Sequence, residues 1–194
     1  MVTPASTLSK NQRSAMTKPD SGLFKDTIGL DDFYGDAESV IAARVAGLDL
    51  TPHPITQKQL SAKQMERLKT KIENRTATKE EYVQYMWNKR FKKRRDKAIK
   101  DFWDVEMLIL SKGEKGTRNW TDEQIVEILK GNKAKFAGKT VEGHHAYSAS
   151  EFPHLANNYL VIYPATHNEH LKGWHGGNYK NSLPGRRIRR IKEF

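Results

Sequence analysis

Six of the seven histidines of this chain fall between His144 and His175. All but His154 lie in three short strings: Glu142-Gly143-His144-His145, Thr166-His167-Asn168-Glu169-His170 and Trp174-His175-Gly176-Gly177-Asn178. Neutral imidazole is the commonest protein ligand for zinc and a natural general base near neutral pH. The chain also carries a formal charge of +11, with 34 Lys and Arg against 23 Asp and Glu. A compact histidine site on a basic protein points to metal-dependent chemistry on a polyanion, nucleic acid first. There is no cysteine, so thiolate ligands and disulfides are excluded and any metal must be held by His, carboxylate, amide or water.

One metal can be held between a strand end and a helix. In this reading His144 supplies a ligand from a strand, and His170 and His175 supply two more from a helix and its end. A position is left open for water or phosphate. His145 is adjacent to His144, so on extended backbone it points the other way and can serve as a base without binding the metal. His-rich ligation suits zinc, while nickel, manganese or magnesium could support turnover. A non-catalytic alternative closes the metal with four ligands, His144, His167, His170 and His175.

The elements that must position these residues follow from periodicity. Residues 1–22 are rich in Ser, Thr, Pro and Lys and read as a flexible lead-in. A short helix is expected over 36–47, stopping at Gly47. A helical block follows: 61–74, then a long helix opened by a capping box from Thr78 to Glu81 and ended by Gly113 and Gly116. Thr121 to Gln124 is a further capping box, starting a helix that runs to Gly131. Lys89 to Arg95 form a basic run inside the long helix, too long to face one groove and read mainly as a solvated surface. Beyond it, 138–142 and 159–163 read as β-strands, and Thr166 caps a last helix from Asn168 to about Trp174. The expected class is α+β, with a helical N-terminal two-thirds.

No apolar run reaches the roughly 20 residues of a spanning helix, and the first residues lack the pattern of a classical signal peptide. Lys139, Lys172, Lys180, Arg186 and Arg187 lie near the histidines in sequence and are candidate phosphate contacts, with His167 as a further substrate contact. His154, after a proline, reads as a surface residue.

The stretch 138–187 resembles the GHH-signature nucleases of the HNH (ββα-metal) superfamily. These occur as C-terminal toxin modules of large contact-delivered bacterial proteins and are related to colicin-type DNases. The resemblance rests on Glu142 to His145, Phe152-Pro153-His154-Leu155-Ala156-Asn157-Asn158, Pro164-Ala165-Thr166, Glu169-His170 and His175 to Asn178. It implies a ββα-metal core at 132–194, preceded by a helical region at 54–131 and a lead-in at 1–53. It implies His144, His170 and His175 as metal ligands, His145 as general base and Glu142 as a supporting acid. The family usually has an Asn about three residues before the Pro of the second strand. Val161 stands there in this chain, and Asn157 or Asn158, of which Asn158 is taken as the candidate, would do that work. The implied activity is endonuclease cleavage of DNA by an effector delivered to a target-cell cytoplasm, with an acidic immunity protein as partner. RNA cleavage and nicking are the alternatives within enzymes.

Overall fold

Three helices begin the same way, and the sequence says where. Ser61, Thr78 and Thr121 each accept a hydrogen bond from a backbone N–H three residues on, and Gln64, Glu81 and Gln124 each reach back to the cap N–H. These reciprocal bonds satisfy donors that a helix start otherwise leaves orphaned. In the computed structural model, residues 37–54 and 57–194 are described; the expected lead-in at 1–22 lies outside them. Helix α1 is Ala37–Val45, α2 is Ala62–Glu73, α3 is Lys79–Ser111 and α4 is Asp122–Leu129. With 33 residues, α3 is about 50 Å long.

The stop of α3 is sharper than expected. Lys112 caps it and Gly113 turns the chain with φ 72°. Gly116 has a different task. A Cβ there would collide with the Glu106 carboxylate and the Trp120 ring. Glu106 is fully buried and accepts from Thr117 N–H, the Thr117 hydroxyl and Trp120 Nε1–H, so its charge is met by three donors.

The strands lie about three residues further along than their composition suggests. Lys135–Phe136 (β1) and Lys139–Thr140 (β2) form a tight antiparallel hairpin. Its corner, Ala137 and Gly138, has φ of 46° and 76°, the handedness that fits strand twist. The next strand is β3, Glu142–His145, antiparallel to β4, Ile162–Ala165, with His144 opposite Tyr163 and His145 opposite Ile162. Tyr159–Val161, expected as strand, is a 3₁₀ turn because the Asn158 side chain accepts from Leu160 N–H and tightens the chain.

Helices and strands share one core. Ile41 of α1, Phe102 of α3, Ile128 of α4, Val161, Ile162 and Trp174 are all buried in the same cluster. A smaller cluster joins Phe91 of α3 to Ala149 and Ala156 of the loop between β3 and β4. Gly143 lets α3 come close: a Cβ there would sit 3.0 Å from Ile99 and 3.2 Å from Ile162. Among the described residues, no helix is long and apolar enough to cross a membrane.

Candidate metal and catalytic site

The last helical segment is wound unusually. Thr166 caps it as expected: its hydroxyl accepts from Glu169 N–H, and its own N–H donates to Glu169. The Glu169 carboxylate is buried and gripped by both arms of Arg118. From there, however, Glu169–Trp174 is a π-helix rather than an α-helix, with His175 N–H donating to His170 C=O. The winding matters for chemistry. Five residues along an α-helix is about 140° around the axis, so His170 and His175 would diverge. An i→i+5 turn returns them to nearly one face.

That face meets β3. The ring centroids of His144, His170 and His175 form a triangle of 4.8, 5.1 and 5.0 Å. One ligand nitrogen from each lies within 4.8 Å of the others. Nitrogens on a tetrahedral zinc would be about 3.3 Å apart, so a small closure of the rings suffices. The donor chemistry fits as well. His175 Nδ1–H donates to the Asn181 carbonyl at 2.6 Å, and His170 Nδ1 is hydrogen-bonded to Glu142. Both rings thus keep Nε2 for a metal, the arrangement by which outer partners fix the tautomer of a ligating histidine. His144 is buried against the Trp174 ring at 4.4 Å, and burial holds its pKa well below the ordinary value.

Glu142 serves two histidines, since His167 Nδ1 lies 2.9 Å from its other oxygen. Burial works to raise the Glu142 carboxyl, but the bonds from His170 and His167 outweigh it and its pKa is lowered. His170 is shifted down by burial, with Glu142 opposing. The structure therefore places His167 beside the acid and outside the three-histidine cluster.

His145 faces the other side of the strand, as alternation requires. It is buried, and its Nε2 lies 3.1 Å from Ala156 C=O. A carbonyl only accepts, so Nε2 carries the proton and Nδ1 is left as an acceptor. Burial pushes its pKa to about 4, the Ala156 bond opposing and the nearby Arg95 charge assisting. It is neutral at physiological pH.

Asn158 is used in the 3₁₀ turn, and Asn157 accepts from Arg94 of α3 at 2.8 Å. The group that touches His145 from this loop is the Ala156 carbonyl, which no residue-type motif could announce. Lys139, Lys172, Lys180 and Arg186 are exposed, and among the described residues none forms an ion pair. Arg187 is different: its guanidinium grips Glu38 of α1, with Nη2 2.6 Å from Oε2, which removes it from the candidate phosphate contacts. His154 Nε2 lies 3.0 Å from Asp49 C=O, away from the cluster. Two neighbours were not anticipated. Tyr179, half exposed, has its ring 5.5 Å from His170 and 5.2 Å from His175. Arg95 lies close enough to His145 to influence its charge.

Comparison with curated proteins finds no match. The region matched by a family model begins inside α3, takes in α4, Glu142, His144 and His145, and ends before His170 and His175. Residues 86–166 match the GHH signature containing HNH/Endo VII superfamily nuclease toxin family, the one that the motif string resembles.

Proposed function

We propose that this chain is a metal-dependent endonuclease that hydrolyses DNA phosphodiester bonds with little sequence preference. The observation that carries this reading is the division of labour on β3: His144 converges with His170 and His175, while its neighbour His145 stays neutral on the opposite face. His144, His170 and His175 would hold a divalent cation, zinc being the best match to an all-imidazole set. When bound, it would supply Lewis-acid stabilisation of charge on phosphate oxygens. His145 takes the proton of an attacking water through Nδ1, and the Ala156 carbonyl holds the ring in that tautomer and orientation. Glu142 orients His170, and the exposed Lys139, Lys172, Lys180 and Arg186 contact the flanking phosphates. Phosphate contacts give affinity without sequence information.

The net charge of +11 suits a polyanion. It also suits an acidic immunity protein that would shield the producing cell from an antibacterial effector. The effector would act in the cytoplasm of a target cell. Position 131/132 is proposed as the start of the nuclease core, with the helices before it packed on that core.

A closed four-histidine zinc module is less well supported, because His167 lies outside the group in which His144, His170 and His175 converge. Plasmid cleavage with added divalent metals, beside His145→Ala and a chelator control, tests the proposal. Metal-dependent nicking and linearisation, lost by about 10²–10⁴-fold in the variant, is the expected result. RNA run in parallel decides the substrate. Failure to cut either, with metal still bound, would favour the structural module.

A further inference from the structure

The buried stripe of α3 runs through Asn88, Phe91, Ala98 and Phe102. A helical stripe with this spacing has its next position at 95, between Phe91 and Ala98. That position is occupied by Arg95, a charge where an apolar side chain is expected. Contacts on either side fix where it sits. One turn before it, Phe91 clusters with Ala156, whose carbonyl holds His145. One turn after it, Ile99 packs on Gly143, which shares with His145 the same face of β3. Arg95 is therefore set opposite His145. It is exposed to solvent, and among the described residues no hydrogen bond or ion pair holds its guanidinium. The adjacent Asp96 is engaged by Lys92 at 2.6 Å, and the preceding Arg94 by Asn157 and His154 C=O.

A guanidinium with a free donor fork is suited to two oxygens of one phosphate. We propose that Arg95 is a catalytic residue that grips the non-bridging oxygens of the phosphate under attack, beside the base His145. This rests on the phosphodiesterase reading given above and extends it. The long helix, outside the strands and the π-helix that carry the histidines, then contributes directly to the reacting centre. A cation fixed at that point stabilises charge that grows on the phosphate as water adds, and so acts mainly on kcat.

The test compares plasmid cleavage by the full chain with Arg95→Met, which keeps the apolar stem, Arg95→Lys, and Lys93→Met, an exposed cation half a turn away. Arg95→Met should lower kcat by about 10²–10³-fold and Arg95→Lys by about 10-fold, because Lys keeps the charge without the fork. Zinc affinity should stay within about 2-fold, KM should rise by no more than about 10-fold, less than the change in kcat, and Lys93→Met should alter kcat little. The proposal is overturned if Arg95→Met turns over at the wild-type rate, or if its loss is matched by an equal loss of zinc affinity, which would make Arg95 a packing residue. A wild-type chain that cuts no nucleic acid defeats the functional reading instead. Titration with inorganic phosphate still judges Arg95 in that case: about 10-fold weaker binding by Arg95→Met supports the anion site, and unchanged binding removes it.

Discussion

The two walls of the histidine cluster are held by different forces. On the β3 wall, His144 and His145 are buried, fixed by the ladder to β4 and by packing against Trp174 and α3. On the π-helix wall, His170 and His175 are only partly buried and are aimed by hydrogen bonds to Glu142 and to Asn181 C=O. One wall buries its histidines in the core, and the other is an arm that holds its histidines partly exposed while its own Glu169 and Trp174 anchor it in that core. The contrast teaches that stability and metal affinity should respond separately to changes on the two sides.

The sharpest way to break this contrast is to shift the arm. An alanine inserted between Lys172 and Gly173 lengthens the step between the two ligand positions from five residues to six, which no single turn reconciles with one face. Zinc affinity measured by calorimetry should fall by more than the roughly 10–100-fold that loss of an orienting partner costs. Next, His144→Ala should lose zinc to a similar degree and also destabilise the apoprotein by about 3 kcal/mol, because a buried ring is removed. That is a fall in Tm of roughly 6–12 °C. His175→Ala should lose zinc with a change in apoprotein Tm of no more than about 2 °C; equal melting losses for the two variants would show that both walls belong to the core. Glu142→Gln should cost about 10–100-fold in zinc affinity, read by competition with a chelating dye, with little effect on melting. The smallest effect is expected from Asn158→Ala. Loss of its bond to Leu160 N–H should cost about 1 kcal/mol in urea unfolding, with kcat reduced only through a looser Ala156 carbonyl.

Much of the scaffold was legible because its signals are local. Thr78 with Glu81, and Thr121 with Gln124, announce helix starts through side chains three residues apart. Thr166 did the same for the last segment. The three ligand candidates could be named from residue type, and the alternation of His144 and His145 from strand geometry. What escaped depends on contacts distant in sequence or on backbone alone. Tyr159–Val161 carries strand-forming residues but obeys the Asn158 cap. The Ala156 carbonyl has no side-chain signature. Arg95 was hidden within a basic run that reads as solvent-facing until the buried positions around it are known. The π-turn could not be read because its residues are those of any helix; only the spacing of its histidines hints at it.

The π-turn also bears on how this site can drift over generations. A five-residue step in a π-turn and a four-residue step in an α-helix both return a side chain to nearly the same face. Loss of one codon between His170 and His175 would therefore let the segment rewind as an ordinary helix with its metal ligands still aligned. Gain of one codon would not. Insertions and deletions at this point are unequal in consequence, and length variation among functional descendants should run toward the shorter form.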